Sequence, residues 1–592
     1  MRRPSIVALA GILALLLIAG SPQRLVGDGR EYLAQAINFA SLHGPALRPA
    51  DIDDVQAEMS RFDSSLAGWN IRGATIADSH RNRDFQHFWF YALLATPGIW
   101  ITRLLHLPPT IAFTGLNLVL LGIALWVALP RIGAAASVLL FASPIVWWID
   151  KAHTEMFTFA LLVIAFALLE EQPWWSIVAA GAAAIQNPPI AAVMFLVCVA
   201  IVLRNRSAVT DRRVIAGAAA GILLALLHPV YTFMHHGTPS LLLSATRSRM
   251  TSVASLSAVV SDPTVGLVGN FPMLLLVFAA AAFALLRRGS RRLLSPATGV
   301  AIASAAVFLF SFSRTTNIHH GGTPSLSRYA IWLIPLVVPF LAGMERTGST
   351  RWRWFLWTAA LTSAAISLVA FHPSVPQNSR EPTTLATFLW TRHPAWNNPL
   401  PEVFSETELH VDDLWIPAST RGCEKILVGG SDEAGWPVPC YPAPIPDTCG
   451  RAAAMCYANL ARDRYEFTRA PGAAVGKLRT GAVWPDEAVL HVRRIYDAWD
   501  WRTLDFSARD LRVVQEAAGV SAVPIGSDDR YMLVLRDTKP DAVLRLQARR
   551  QMSGVLMDAM TGRTLATESC DAAEACTIDV PAGFSMLILA MR

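Results

Sequence analysis

Charged side chains are scarce in this chain. Only 16% of its 592 residues are Asp, Glu, Lys or Arg, whereas 53% are hydrophobic, and an ordinary soluble domain has about 25% charged residues. Lys/Arg-rich runs interleaved with aromatic residues are absent, which argues against nucleic-acid binding. The formal charge is only +6, and in so apolar a chain this excess bears mainly on membrane orientation. The composition therefore argues against a purely soluble protein.

Cysteine is nearly missing from the first 422 residues, where only Cys198 occurs. The remaining six are Cys423, Cys440, Cys449, Cys456, Cys570 and Cys576. An even set of cysteines in a soluble tail predicts disulfides and an oxidising compartment. Their spacing lacks the CxxC pairs that are typical of a zinc site. Cys570 with Cys576 is the one local pair that the spacing suggests, and the other pairings stay open.

Long apolar runs occupy the sequence up to residue 371. Eleven of them are long enough to cross about 30 Å of hydrocarbon. They lie at 4–20, 110–129, 133–149, 155–170, 173–187, 189–203, 214–230, 270–286, 293–313, 329–344 and 353–371. The first could instead be a signal peptide. We expect a polytopic α-helical membrane domain over 1–371, followed by an extracytoplasmic β-rich domain over 372–592.

Basic residues in the short loops orient these spans. If Met1 is cytoplasmic, alternation puts almost every arginine cluster inside, as the positive-inside rule requires. These residues are Arg131, Arg204, Arg206, Arg212, Arg213, Arg287, Arg288, Arg291, Arg292, Arg346, Arg351 and Arg353. The acidic Glu170–Glu171 loop is the exception. Residues 21–109, 150–154, 231–269, 314–328 and 372–592 then lie outside, on the same side as the six tail cysteines.

The segment 86–106 is apolar enough to be a twelfth span, but counting it would place the arginine clusters outside. We interpret it as an amphipathic helix on the outer leaflet.

In the tail, the short runs EKILVGG, RYMLVLRD and AVLRLQARR predict strands, and a final hairpin is expected with Thr561–Gly562 as its turn. These runs are the basis for the β-rich domain.

Two acidic positions outside the membrane are candidates for chemistry. Asp28, in GDGREYLAQA, follows the first span and has Tyr32 one helical turn later. Its carboxylate could accept the proton of a hydroxyl that attacks a sugar carbon, or it could cap the helix. The second position contains Asp150, His153 and Glu155 at the external start of the fourth span. Ionisable groups there suggest function, although an interfacial glutamate can simply stay hydrated.

The order of these features resembles that of the GT-C glycosyltransferases, membrane enzymes related to dolichyl-phosphate-mannose mannosyltransferases that use polyprenyl-phosphate sugars. The resemblance covers about residues 1–371 and is one of pattern. It is carried by the external Asp28, the aromatic surface helix HFWFYALL that begins at His87, SPIVWWIDKAHTEMFTFALLVIAFALL, and SRYAIWLIPLVVPFLAG. It implies that Asp28 is the catalytic acid of the first external loop and that Glu155, beside His153, is the acidic residue of the second.

The same resemblance implies that Arg328 and Tyr329 are the Arg-Tyr pair that opens a late span near the lipid phosphate. Two departures from the family pattern stand out. Residues 87–91 replace a Pro-Pro-Leu-Tyr-like motif in the surface helix. Residues 186–189, Gln-Asn-Pro-Pro, replace a Lys or Arg before Pro, which removes an expected partner of the donor phosphate.

A near repeat offers a substitute phosphate site. HHGTPSL at 235–241 recurs as HHGGTPSL at 319–326, both in predicted outer loops. Thr-Pro is typical of a helix start, and helix N-termini favour phosphate. We therefore hypothesise that one or both repeats bind the donor phosphate, with two similar helix caps as the alternative. The side chains concerned are His235, His236, His319, His320, Arg247, Arg249 and Arg328. No carboxylate lies at ligand spacing beside either His pair, so a metal site there is weakly supported.

By this resemblance the protein is expected to be an inverting hexosyl- or pentosyltransferase. It would transfer a sugar from a polyprenyl-phosphate donor to a glycan, lipid or protein on the outer face of a bacterial cytoplasmic membrane, without a metal cofactor. Its activity should therefore survive EDTA. The alternatives are a transporter or flippase of lipid-linked sugars and a noncatalytic envelope-glycan assembly protein. The interiors of the spans are nearly free of ionisable residues, which favours surface chemistry over transport.

Overall fold

The structure is a computed structural model. The residues that it describes are 3–19, 21, 24–72, 74–78, 81–241, 253–286, 295–315, 318, 323–377, 383–392, 403, 425–427, 438–441, 456–460, 464–468, 511–515, 521–527, 530–538, 542–558, 563–572 and 574–591. Several predicted features lie outside them: Arg247, Arg249, Arg287, Arg288, Arg291, Arg292, His319, His320, Cys423, Cys449 and the turn Thr561–Gly562.

Contacts between residues divide the chain into two units. The helical unit comprises Met1–Leu243, Ser255–Ser313 and Ile318–Ala386. The β unit comprises Ser244–Ala254, Arg314–Asn317 and Thr387–Arg592. Residues 372–386, which the sequence assigned to the tail, thus belong to the helical unit.

The described residues form seventeen α-helices. In chain order these are α1 (Arg3–Ile18), α2 (Gly29–Ala40), α3 (Pro49–Phe62), α4 (Phe90–Leu104), α5 (Thr110–Phe141), α6 (Glu155–Leu168), α7 (Pro173–Gln186), α8 (Ile190–Arg204), α9 (Arg212–His236), α10 (Val253–Ser261), α11 (Leu267–Asn270), α12 (Pro272–Leu286), α13 (Pro296–Ser313), α14 (Arg328–Ile331), α15 (Val338–Arg346), α16 (Thr350–Ala370) and α17 (Thr384–Arg392).

Among the described residues, five helical segments are long and apolar enough to cross a membrane. They are Thr110–Phe141, Arg212–His236, Pro296–Ser313, Arg328–Arg346 and Thr350–Ala370. Three shorter apolar helices lie at Pro4–Ile18, Glu155–Leu168 and Ile190–Arg204. A mainly helical membrane-type unit is therefore confirmed, whereas the number of eleven spans stays a prediction.

The chain reverses direction within α5. Gly133 has a φ of +77°, a conformation that favours glycine, and a Cβ there would lie 2.8 Å from the side chain of Glu345. The Asn117 amide donates to the carbonyls of Trp148, Ile149 and Lys151 at 3.2, 3.2 and 2.9 Å. A straight helix would separate residues 117 and 148 by about 45 Å. The stretches 110–129 and 133–149 are therefore antiparallel, as two separate spans require.

Loops that the sequence places inside meet at one end of the helical unit. Arg131 pairs with Glu171 at 2.6 Å, and Arg346 pairs with Glu170 at 2.5 Å. Arg204 also donates to the carbonyl of Glu170 at 3.1 Å. The acidic loop that breaks the positive-inside rule is thus neutralised by arginines from loops predicted to lie on the same side.

The predicted surface helix corresponds to α4. Its Trp100 donates to the carbonyl of Ala40 at 2.9 Å, and Arg103 pairs with Glu58 at 2.7 Å, so α4 packs against α2 and α3. The next helix, α5, contacts the carbonyl of Asp150 through Thr114 in its second turn. Helix α4 starts just after residue 87, and the helix that follows it begins near Asp150. Both ends of α4 therefore lie on the same side of the unit, away from the end where Arg131 and Arg346 pair with Glu171 and Glu170. Its contact with an outer leaflet stays a prediction.

Fourteen strands are described. They are β1 (Thr75–Ala77) and β2 (Arg83–Phe85) in the helical unit, and β3 (Lys425–Leu427), β4 (Val438–Tyr441), β5 (Cys456–Leu460), β6 (Arg464–Thr468), β7 (Leu511–Gln515), β8 (Ser521–Ser527), β9 (Arg530–Thr538), β10 (Ala542–Ala548), β11 (Met552–Asp558), β12 (Thr564–Cys570), β13 (Ala575–Val580) and β14 (Gly583–Met591) in the β unit.

The β unit contains two larger antiparallel sheets. One has the order β12-β11-β14-β9-β8 and the other β13-β10-β7. Strand β10 buries Ala542, Leu544, Leu546 and Ala548 and alternates them with less buried residues, as expected of a strand with one face on a core. The three predicted strands correspond to β3, β9 and β10. The predicted disulfide between Cys570 and Cys576 is confirmed.

We expect Gly133→Ala to destabilise the helical unit by about 1–3 kcal/mol, because the new Cβ meets Glu345 and the backbone is left-handed. Thermal unfolding of the purified protein measures this. The control is Gly115→Ala in the same helix, where a Cβ meets nothing within 4 Å and alanine should be neutral or stabilising. Equal stability of the two variants would contradict the reversal at Gly133.

Candidate functional site

Two glycines allow the segment between α1 and α2 to lie directly on the turn before α6. A Cβ at Gly27, whose φ is +49°, would lie 3.4 Å from Nε2 of His153, and a Cβ at Gly29 would lie 3.0 Å from the carbonyl oxygen of Ala152. The Ala152 amide donates to the carbonyl of Arg24 at 2.9 Å. Asp28, between the two glycines, is thereby held beside His153.

Asp28 stands at the N-cap position of α2, yet its side chain makes no capping hydrogen bond. Instead, its Oδ2 accepts a hydrogen bond of 2.6 Å from Nη1 of Arg328. The same oxygen lies 3.2 Å from Nε2 of His87 and 3.4 Å from Nε2 of His153. The capping alternative therefore does not account for this carboxylate, which faces three basic side chains.

His153 lies between this carboxylate and Glu155. Its Nε2 is 3.1 Å from Nη1 of Arg328, and its Nδ1 is 3.6 Å from Oε1 of Glu155. Burial lowers the pKa of His153 to about 4, and the charge of Arg328 acts in the same direction against the attraction of Asp28. The other oxygen of Glu155 accepts a hydrogen bond of 2.6 Å from Trp332.

His87 bridges Asp28 to a second carboxylate that sequence reasoning missed. Its Nδ1 lies 3.0 Å from Oε2 of Glu31. Burial opposes the charged form of His87, but Asp28 and Glu31 outweigh it and raise the pKa of His87. Burial also raises the pKa of Glu31, more than the nearby His87 lowers it. Glu31 lies three residues after Asp28 on one helix, a spacing that places both on one face and could have indicated it.

The pKa of Asp28 is shifted downward. Burial alone would raise it, but the charges of His87 and Arg328 and the contact with His153 hold the pKa of this carboxyl well below its ordinary value. Asp28 is therefore an anion at neutral pH. The three nitrogens contact Oδ2, so within the described part of the chain Oδ1 is the oxygen that is left to accept a proton.

Asp150, a sequence candidate, has a structural role. Its Oδ1 pairs with Nζ of Lys151 at 2.7 Å, and both side chains are completely buried. Nζ also donates to the carbonyl of Pro373 at 2.8 Å and lies over the ring of Trp147. Together with the three bonds from Asn117, this pair fixes the turn that carries His153.

Tyr32 and Gln186 are buried side chains that pack against the residues of the site. Tyr32 is 1% exposed, and its ring lies 6.0 Å from each of the rings of His87 and His153. Gln186, which stands where the family pattern has a basic residue, donates to the carbonyl of Phe88 at 2.8 Å and accepts from the amide of Tyr91 at 3.2 Å. It therefore fixes the start of α4 next to His87.

Arg328 and Tyr329 begin α14 and face different neighbours. The Arg328 guanidinium turns toward Asp28 and lies 5.5 Å from the ring of Tyr329. The Tyr329 ring stacks on Phe312 at 5.0 Å. Tyr329 thus packs beside the arginine and supports it.

The second repeat is not a helix start, and the first begins at the end of a helix. His235 and His236 are the last residues of α9, which ends at the left-handed Gly237, so this helix presents its carbonyl end, which repels phosphate. The Thr238 hydroxyl bonds to the carbonyl of Ser240. In the second copy, Thr323 lies four residues before the cap of α14 at Ser327. The expectation that Thr-Pro starts a helix is wrong in the second copy, where α14 begins only at Arg328. In the first copy the residues after Leu241 lie outside the described ranges.

His235 and His236 also face carboxylates. His236 Nε2 lies 2.9 Å from Asp84, and His235 Nδ1 lies 3.4 Å from Asp78. These acidic neighbours disfavour an anionic ligand there. Four other members of the hypothesised phosphate site lie outside the described residues: His319, His320, Arg247 and Arg249.

Asp28, Glu31 and His87 could offer ligand atoms to a metal ion, since one atom from each lies within 4.8 Å of the others. Arg328, however, already donates to Oδ2 of Asp28, and both ring nitrogens of His87 face carboxylates. A cation would have to displace these ion pairs. The three side chains are better suited to a hydrogen-bonded charge network than to a metal centre.

Compared with known proteins, the chain matches no family model, no curated protein and no solved structure. The functional conclusion therefore depends on the geometry of this site.

The raised pKa of His87 makes stability depend on pH. A folded-state pKa above the ordinary 6.5 stabilises the protein fully below pH 6.5, and this contribution is lost as the pH rises through the folded value. We expect the thermal stability of the wild type to fall over that interval. His87→Gln should remove the decline, whereas His106→Asn, at an exposed histidine, should keep it. An unchanged decline in His87→Gln would contradict the assignment.

Proposed function

We propose that the protein is an inverting glycosyltransferase that transfers a sugar from a polyprenyl-phosphate donor to a hydroxyl acceptor. The observation that carries this proposal is the convergence of Asp28, His153, Glu155 and Arg328 at one end of the helical unit. They come from three separate parts of the sequence. The loops rich in arginine lie at the opposite end, so the site would face the outer aqueous phase if those loops are cytoplasmic.

Asp28 is suited to the role of general base. Its carboxylate stays ionised at neutral pH, and the contacts with Arg328, His87 and His153 are made by Oδ2. In the proposed step, Oδ1 accepts the proton of the acceptor hydroxyl as that oxygen forms a bond to the anomeric carbon. Attack comes from the face opposite the phosphate, so the configuration at this carbon is inverted.

Arg328 is suited to stabilise the departing polyprenyl phosphate. As the bond between the anomeric carbon and the phosphate oxygen breaks, its electron pair stays on the polyprenyl phosphate. A guanidinium has five N–H donors, and the bonds to Asp28 and His153 use only Nη1. The remaining donors can stabilise the charge that develops on the phosphate.

His153 and Glu155 would orient the reactants. His153 contacts Arg328 and so fixes the guanidinium relative to Asp28. Glu155 is held by Trp332, and its carboxylate can bind a sugar hydroxyl. The acceptor would be a glycan, lipid or protein at the outer face of a bacterial cytoplasmic membrane. The disulfide of the β unit supports this compartment, because such bonds persist under oxidising conditions.

We expect Asp28→Asn to abolish the transfer while leaving the protein in the membrane, because an amide cannot accept the proton. The measurement is mass spectrometry of envelope lipids and glycans from a deletion strain that carries wild-type or variant protein. One sugar decoration should vanish in the deletion strain and return only with the wild type. The matched control is Asp53→Asn, at an exposed carboxylate of the same external segment, which should restore the decoration.

Full restoration by Asp28→Asn would show that Asp28 is not the base. A noncatalytic assembly protein would then be favoured. Movement of a lipid-linked sugar by the purified protein without a new glycosidic bond would favour a transporter.

A further inference from the structure

A cavity lies in the helical unit apart from Asp28, and several polar side chains stand in its mainly apolar wall. Its volume is about 330 Å³, which is in the lower range for small-molecule sites. The residues that line it come from the loop after α2, the segment before β2 and the last turns of α9. Its polar side chains are His43, Arg48, Asn82, Tyr231 and His235.

Buried Asp51 holds two of these side chains. Arg48 donates to both of its oxygens, from Nε and Nη2, at 2.8 Å each. His43 lies 3.3 Å from the same carboxylate. The side chain of Asp51 is only 5% exposed, so it lies behind Arg48 and His43 and fixes their direction.

Two more buried carboxylates hold the other three polar side chains. Asp78 accepts from the backbone amide of Asn82 at 2.8 Å and lies 3.4 Å from Nδ1 of His235. Asp84 accepts from the Tyr231 hydroxyl at 2.9 Å. Each polar residue of the cavity wall is thus positioned by an aspartate behind it. This arrangement is typical of a preorganised binding site, in which supporting residues fix the groups that touch the ligand.

The charges of this cavity favour an uncharged ligand. Asp51 compensates the charge of Arg48, and Asp78 and Asp84 lie behind the other side chains of the wall, so a phosphate would gain little. The His235 ring stacks on Tyr231 with centroids 4.4 Å apart, which adds a flat apolar surface to several hydrogen-bonding groups. A flat surface beside many such groups matches a sugar ring with its hydroxyls.

Helix α2 connects this cavity to the candidate site. Asp28 precedes its first residue, and Asn38 near its end donates to the carbonyl of Gly44 at 2.8 Å and contacts His43 at 3.3 Å. The helix has twelve residues, so the cavity lies about 18 Å from Asp28 along it. An extended acceptor could span that distance.

We propose that this cavity binds a sugar residue of the acceptor, several residues away from the hydroxyl that reacts at Asp28. The acceptor of the proposed transferase is therefore an oligosaccharide chain. This inference rests on the proposed function, but the cavity binds the chain whether or not transfer takes place.

Photo-crosslinking in cells tests the proposal with the cell's own envelope glycans as the probe. A photoreactive amino acid replaces Leu42, which lines the cavity and is 82% exposed. The matched control carries it at Leu105, which is 57% exposed in the same external segment but outside the cavity wall. After irradiation, the full-length protein is purified, and the attached mass is analysed for sugar composition.

We expect an oligosaccharide adduct at position 42 and little at position 105. Adding His235→Ala should lower the yield about fivefold, the effect of one lost hydrogen bond. An adduct of lipid alone, or equal glycan adducts at both positions, would overturn the proposal.

Asp28→Asn separates the two proposals. In that background the adduct at position 42 should persist while the sugar decoration is lost. A lost decoration without any adduct at position 42 would refute the cavity and leave the transferase intact. A retained decoration together with the adduct would refute Asp28 as the base and leave the binding cavity standing.

Discussion

The ion pair between Asp28 and Arg328 is the contact on which the site depends. It joins residues 300 positions apart in the sequence, and its side chains are 17% and 9% exposed. Removing one partner of a buried pair costs about 3–5 kcal/mol, because the other charge is left without compensation. Each of the two charges therefore holds the other in the site, and the histidines are arranged around them.

The backbone around Asp28 allows two segments of the chain to lie very close together. Glycines on both sides of Asp28 let the segment between α1 and α2 lie against the turn before α6. That turn is fixed by Asn117 and by the buried pair of Asp150 and Lys151. The charged groups of the site therefore depend on a turn whose own two charged residues pair with each other.

Sequence patterns predicted most of the helices and the main members of the site. Asp28, Glu155 and Arg328 stand at the ends of apolar runs, where an ionisable residue is conspicuous. Glu31 has a spacing from Asp28 that could have indicated it, whereas the three aspartates behind the cavity lie in a polar segment in which nothing distinguishes them. Only tertiary contacts between loops reveal the roles of these aspartates. The Thr-Pro pattern at 323–324 predicted a helix start four residues too early, since α14 begins at Arg328.

A double-mutant cycle of Asp28→Asn and Arg328→Gln tests the central claim most directly. Thermal unfolding of the four purified proteins gives the free energy of interaction between the two side chains. We predict that each single variant folds but unfolds at a lower temperature than the wild type, and that the double variant is no less stable than either single one, because neither charge is then left unpaired. Additive losses would show that the two groups do not interact, which would contradict the account of the site.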